Sequence, residues 1–115
     1  MLETTAAQVA ANELKKGDVL GTARFAGIQA AKGATALMPS AGSSAVDEVV
    51  LSFEVADAHV DIESIVTAHD GARVGIQAMT AATVAALTIY DMCKSVDRTM
   101  VIEDIGLVEL PRSDG

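Results

Sequence analysis

Apolar residues recur with helical spacing in three segments of the chain. The spacing predicts helices over 2–16, over 19 to about 36 and over 72–97, the last running for about seven turns. Asp18 fits the N-cap of the second helix. That helix also contains three glycines, each of which costs roughly 1 kcal/mol against alanine in a helix interior. The glycines therefore predict close backbone approach to a neighbouring element, or breaks in the helix.

Apolar residues alternate with period two in the middle of the chain, which is typical of half-buried strands. Strands are predicted over 48–56 and 59–68, joined by a tight turn, and from Met100 to Leu110. In the first strand the inward positions are Val49, Leu51, Phe53 and Val55. In the second strand, Val60, Ile62 and then Ile65 and Val66 are predicted to continue the apolar face less regularly. Two long helices packed on an antiparallel sheet give an α+β arrangement, in a single domain spanning 1–115.

Composition narrows the classes of partner. Half of the 115 residues are hydrophobic, mostly small aliphatic side chains, so oligomerisation is one way to bury more surface. The 16 acidic and 8 basic residues give a net charge of −8. A field of that sign repels phosphate backbones, so no nucleic-acid partner is expected. A phosphorylated ligand would require a local cluster of the few cations.

The single cysteine, Cys93, rules out an intramolecular disulfide and offers no metal-ligand spacing. Because it lies inside the third helix, we expect a buried, unreactive thiol. His59 and His69 fall at predicted turns, which favours exposed surface histidines. No signal-peptide pattern or long uncharged apolar run is present, so the sequence predicts a soluble, cytoplasmic protein with no membrane partner.

Two blocks of sequence are specific enough to carry a family resemblance. The first is KGDVLGTARFAGIQAAK, from Lys16 to Lys32, and the second is MTAATVAALTIYDMCKSVDRTMVIED, from Met79 to Asp104. In content, order and separation they resemble the cyclic pyranopterin monophosphate synthase family (molybdenum cofactor biosynthesis protein C).

The resemblance implies a ferredoxin-like α+β fold and a hexamer, a trimer of dimers, with active sites at subunit interfaces. The implied partner is a purine-nucleotide-derived small molecule. The reaction is that of a lyase, converting 3′,8-cyclo-7,8-dihydro-GTP into cyclic pyranopterin monophosphate and pyrophosphate. No metal or organic cofactor is implied.

Six side chains are candidates for the site: four match the family, Arg98 lies four residues beyond Lys94 on the same helix face, and Gln77 stands at a family glutamate. A triphosphate demands cations, and rearrangement of the purine carbons demands proton transfers. The expected catalytic residues are Lys32, Asp91 and Lys94, and the expected substrate-binding residues are Arg24, Gln77 and Arg98. From spacing alone, Asp91, Lys94 and Arg98 fit a solvated helix face with weak ion pairs. Arg24 and Lys32 equally fit side chains that extend to solvent.

The chain departs from the family pattern where the family carries a histidine and two glutamates. Gly42 stands at the histidine position, and Gly75 and Gln77 stand at the glutamates, although an amide cannot act as a general base. Arg112 is the nearest counterpart of a C-terminal lysine, and the chain starts after a leader strand found in longer members. An alternative is therefore a catalytically silent member that binds a nucleotide or pterin phosphate, or an oligomeric scaffold.

Overall fold

Four helices and two strands follow one another in the computed structural model, which describes residues 1–39, 46–69 and 73–108. The architecture is α+β, a two-stranded antiparallel sheet packed against helices. The elements are α1 (Glu3–Ala10), α2 (Val19–Lys32), α3 (Ala34–Leu37), β1 (Val46–Val55), β2 (Val60–Ala68) and α4 (Gly75–Cys93).

The hairpin of β1 and β2 confirms the alternation predicted for the first strand. Leu51 is buried and Phe53 is half-buried, and both contribute to the core that the sheet shares with α2 and α4. One prediction for the second strand was wrong: Ile65 does not continue the apolar inner face. It pairs with Val50 on the outer face, where the two side chains are 47 % and 42 % exposed.

α2 and α4 lie side by side in opposite directions, with Gly27 at their closest approach. A Cβ built on Gly27 would lie 2.9 Å from the Ala81 carbonyl oxygen and against a Leu51 methyl group. Val19, at the start of α2, packs in the same cluster as Cys93, at the end of α4. The predicted close backbone approach is confirmed at this glycine.

The ends of the first two helices follow local backbone chemistry. The Asp18 carboxylate accepts a hydrogen bond from the Gly21 N–H at 3.0 Å, which confirms the predicted N-cap. Gly33 separates α2 from α3, so the second predicted helix is broken at one of its glycines. The first helix ends at Ala10 rather than near Lys16, because Asn12 adopts a left-handed conformation with φ of 57°.

α4 is the most apolar helix and the centre of the fold. By length and composition it is the one helix of the described residues that would suffice to cross a membrane. Within this protomer, one of its faces packs on α2 and another on β2. It is shorter than the predicted 72–97, since the chain turns at 94–96.

The strand predicted from Met100 to Leu110 is wrong over the nine residues that the structure describes, 100–108. This segment returns along α4, from Met100 at the core cluster to Leu107, which packs against Gly75. The alternating pattern suits such an extended path. However, a strand also requires a hydrogen-bonding neighbour, and within the described protomer residues 100–108 have none.

Candidate functional site

Asp91 and Lys94 form an ion pair at the C-terminal end of α4. Lys94 Nζ lies 2.6 Å from Asp91 Oδ1, as expected for residues one helical turn apart. The hydrogen bond and the charge of Lys94 lower the pKa of Asp91, and the charge of Lys16 adds to this effect. The Asp91 carboxylate is therefore ionised at neutral pH and forms a largely exposed ion pair with the Lys94 ammonium.

A small hollow lies beside this pair, which we call the terminal hollow. It has a volume of about 370 Å³ and is lined by Tyr90, Lys94, Ser95, Asp97 and Arg98. Two of the predicted site cations, Lys94 and Arg98, therefore border one cavity. Lys16, which approaches Asp91 from the loop before α2, is a further cation that spacing along α4 could not reveal.

Asp97 is buried at the edge of the terminal hollow, with only 2 % of its surface exposed. Its Oδ1 accepts hydrogen bonds from the Thr99 N–H at 2.8 Å and the Thr99 hydroxyl at 2.6 Å. Its Oδ2 accepts a hydrogen bond from the Leu2 N–H at 2.8 Å. Asp97 was not among the predicted site residues; the missed signal was an Asp two residues before a Thr, the pattern of an Asx turn.

Lys32 and Gln77 lie at the opposite end of the helix pair. Gln77 is on the buried stripe of α4 and is 2 % exposed, whereas Lys32 is exposed at the end of α2. From Gln77 to Asp91 the helix rises roughly 21 Å, at 1.5 Å per residue. Within one protomer, the structure therefore does not bring Lys32 together with the Asp91–Lys94 pair.

Arg24 folds back onto β1 instead of extending freely into solvent. Its Nε donates to the Leu51 carbonyl oxygen at 3.3 Å, and its guanidinium lies 5.3 Å from the centre of the Phe53 ring. These contacts fix the stem of Arg24 and leave it at the α2–β1 boundary, away from the terminal hollow.

The remaining candidate side chains behave as the sequence predicted. His59 and His69 are largely exposed and each lies near an aspartate of the hairpin. Cys93 is fully buried, and burial raises the pKa of its thiol. Among residues 1–39, 46–69 and 73–108, no group of three His, Cys, Asp or Glu side chains could hold a metal ion.

Gly75, one of the departures from the family pattern, lies against the returning segment. A Cβ on Gly75 would lie 3.1 Å from the Leu107 Cδ2 atom, so the returning segment covers the start of α4. Gly42 and Arg112 lie outside the described residues.

A larger groove lies between β2, α4 and residues 100–108, which we call the β2–α4 groove. Its volume is about 1190 Å³, and apolar side chains such as Ile62, Met79 and Ile105 line it alongside charged ones such as Arg73 and Glu103.

Comparison with known proteins decides the family. The model of the MoaC family matches residues 1–112. The chain belongs to the MoaC family. Two relatives of the chain are cyclic pyranopterin monophosphate synthases, from Desulfitobacterium hafniense, 43 % identical over 110 residues, and from Heliobacterium modesticaldum, 45 % identical over 111 residues. Each alignment covers 95 % of this chain, and 68 % and 70 % of the respective relative.

A third relative is the molybdenum cofactor biosynthesis bifunctional protein of Chlorobaculum tepidum. It is 43 % identical over 107 residues, which are 93 % of this chain and 34 % of that protein.

Proposed function

We propose that this chain acts in molybdenum cofactor biosynthesis as a cyclic pyranopterin monophosphate synthase. Its substrate would be 3′,8-cyclo-7,8-dihydro-GTP, and its products cyclic pyranopterin monophosphate and pyrophosphate. The observation that carries the proposal is the Asp91–Lys94 pair, held at 2.6 Å beside a hollow, in a chain 43 to 45 % identical to synthases of this name.

The chemistry of the pair suits this reaction. Because the pKa of Asp91 is lowered, its carboxylate is a hydrogen-bond acceptor and a counter-charge rather than a proton donor. Of the two groups, we assign the Lys94 ammonium the role of acid toward the substrate. Arg98, on the same hollow, is assigned to the phosphate groups, since a guanidinium binds phosphate oxygens in a bidentate manner.

We further propose that a complete site requires two copies of the chain. Gln77 lies roughly 21 Å along α4 from Asp91. Lys32, at the end of α2, lies at the Gln77 end of the helix pair. A neighbouring copy that presents the α2 end to the terminal hollow would bring Lys32 to Lys94. The family resemblance suggests that the assembly is a hexamer, a trimer of dimers, in the cytoplasm.

Exposed apolar surface supports an assembly of this kind. The outer sheet face exposes Val50 and Ile65, and Val101 and Val108 of the returning segment are 73 % and 89 % exposed. Residues 100–108 also have no strand neighbour among the described residues, so another chain could pair with their backbone groups. Light scattering on the purified protein measures the oligomeric state directly.

The decisive experiment measures pyrophosphate release from 3′,8-cyclo-7,8-dihydro-GTP by the wild type, Lys94→Ala and Lys15→Ala. Lys15 is an exposed lysine in the loop before α2 and serves as the matched charge control. We expect turnover by the wild type and the control, and a loss of at least about 100-fold in Lys94→Ala. A folded wild type without turnover would contradict the proposal. A shift of its melting temperature by the substrate would then favour the silent binder.

A further inference from the structure

Asp97 is a buried carboxylate, a group that normally requires a cation nearby. Over the described ranges, no lysine, arginine or histidine nitrogen lies within ion-pair distance of Asp97. Burial opposes its ionisation, but hydrogen bonds from Thr99, Leu2 and Thr5 outweigh burial and hold the pKa of Asp97 well below its ordinary value. Asp97 is therefore a buried anion sustained by hydrogen-bond donors from two distant parts of the chain.

These hydrogen bonds close a turn around Arg98. Asp97 Oδ1 accepts from the backbone and the hydroxyl of Thr99, and the Asp97 N–H donates to the Cys93 carbonyl oxygen at 3.0 Å. Arg98 is the central residue of this Asx turn, so its backbone is fixed on both sides. The same bonds join the turn to the end of α4, where Lys94 lies.

The turn is also tied to the N-terminal part of the protein. Asp97 Oδ2 accepts from the Leu2 N–H, and the Thr5 hydroxyl of α1 donates to the same carboxylate. One residue earlier, the Met1 ammonium group donates to the Ala58 carbonyl oxygen at 2.9 Å, in the turn of the hairpin. The backbone that bears Arg98 is thus linked to α1 and, through α1, to the sheet.

We infer that Asp97 is a positioning residue that holds Arg98 beside Lys94, so that the two cations together bind the pyrophosphate part of the ligand. The inference deepens the proposed function and rests on it for the identity of the ligand. Arg98 and Lys94 border one hollow of about 370 Å³. Two cations on a fixed backbone bind a pyrophosphate better than two on a mobile one, because less conformational entropy is lost on binding.

The test uses inorganic pyrophosphate as the probe, with affinity measured by calorimetry at low salt on the full chain. Removing a negative charge near an anion site should strengthen anion binding if Asp97 acts only through its field. A positioning role predicts the opposite sign. We therefore expect Asp97→Asn to weaken pyrophosphate binding by about 5- to 10-fold, a coupling in the range found for directly interacting residues.

A double-mutant cycle separates positioning from general destabilisation. Arg98→Gln should weaken binding to a similar extent, and Asp97→Asn should add little in the Arg98→Gln background. Val9→Ala, which removes buried methyl groups from α1, lowers stability but removes no hydrogen bond of the turn, so its affinity should match the wild type. If Asp97→Asn does not fold, Thr99→Val removes one donor from the turn and should weaken binding less, in the same direction.

Several outcomes overturn the inference. They are absence of pyrophosphate binding by the folded wild type, tighter binding by Asp97→Asn, or an equal further loss when Asp97→Asn is added to Arg98→Gln. Turnover is a separate readout. If the binding data fit the predicted double-mutant cycle but the wild type releases no pyrophosphate from the cyclised nucleotide, the proposed function is refuted and the inference about Asp97 stands. In an active enzyme, Asp97→Asn should raise KM with a smaller change in kcat.

Discussion

Gly27 is the position where a single methyl group should do the most damage to the fold. A Cβ there would lie 2.9 Å from the Ala81 carbonyl oxygen, 3.5 Å from the Ala85 Cβ and against a Leu51 methyl group. The Leu51 side chain has several rotamers available, but the Ala81 oxygen is part of the α4 backbone. Gly27→Ala therefore requires α2 and α4 to move apart.

The size of the effect follows from two opposing contributions. Alanine is favoured over glycine in a helix interior by about 1 kcal/mol. Overpacking a close-packed interface costs typically 1–3 kcal/mol, and a contact with backbone belongs at the upper end of that range. We expect a net loss of about 2 kcal/mol in the free energy of unfolding. For a chain of this length that lowers Tm by roughly 8 °C, at about 4 °C per kcal/mol.

Urea unfolding followed by far-UV circular dichroism measures this loss. All variants must be compared at one protein concentration, because assembly shifts apparent stability by mass action. Gly33→Ala is the matched control, since its nearest contact is the Gln29 carbonyl oxygen at 3.4 Å and its φ is −101°. It should be neutral or stabilising by up to about 1 kcal/mol.

Equal behaviour of the two variants would refute the reasoning. If Gly27→Ala matches Gly33→Ala in stability, glycine at 27 is not required by the contact between α2 and α4. The described approach of the two helices would then be wrong at that point.

Three further predictions concern the candidate site. If Lys32 and Lys94 meet across a symmetric interface, Lys32→Ala and Lys94→Ala chains that are each inactive should regain activity when mixed and refolded. The mixture should recover about a quarter of wild-type pyrophosphate release. No recovery would place both lysines in one protomer's site. Because the pKa of Asp97 is lowered on folding, its contribution to stability is present above about pH 4 and is lost as the pH falls toward the folded-state pKa. The difference in unfolding free energy between wild type and Asp97→Asn should therefore shrink between about pH 5 and pH 2. A constant difference would contradict an ionised Asp97. The Cys93 thiol is fully buried and its pKa is raised, so it should react with a thiol reagent only at the rate of unfolding. Labelling at increasing urea concentrations measures that rate. Fast labelling of the native protein would contradict the prediction.

Local signals in the sequence predicted local structure well. Asp18 marks the start of α2 because its side chain satisfies a backbone N–H of the first turn, a contact within four residues. The alternation of Val49, Leu51 and Phe53 predicted the inner face of β1, because it too is a signal carried by neighbouring residues. Asn12 was missed as a stop signal, because lysines and a glycine farther along the chain matched a helix end equally well.

Features that depend on distant partners were not predictable from the chain alone. Residues 100–108 alternate like a strand, but pairing depends on whether another edge is adjacent, and that is a tertiary or quaternary fact. Likewise, the i,i+3 spacing predicted the Asp91–Lys94 pair, whereas the separation of Lys32 from it follows from the antiparallel packing of α2 on α4. The role of Asp97 depends on Leu2, ninety-five residues away.

The start of α4 offers a direct test of what the missing family glutamate does. Gly75→Glu would place a Cβ 3.1 Å from Leu107 Cδ2, but Leu107 is 47 % exposed and its flexible tip is free to yield by a few tenths of an ångström. A glutamate in the first turn of a helix is also favoured by about 0.3–1 kcal/mol through the helix dipole. We therefore expect the variant to fold with no net loss of stability, as thermal unfolding will show.

The matched comparison of Gly75→Glu with Gly75→Gln isolates the carboxylate, because the two side chains have nearly the same size. If a general base is missing at this end of α4, kcat for pyrophosphate release should rise by about 100-fold in Gly75→Glu and not in Gly75→Gln. Equal kcat in both variants and the wild type would mean that another group of the assembled site already supplies the base. Equal losses in both would instead show that contact between Leu107 and the start of α4 is itself required, because only size is common to the two substitutions.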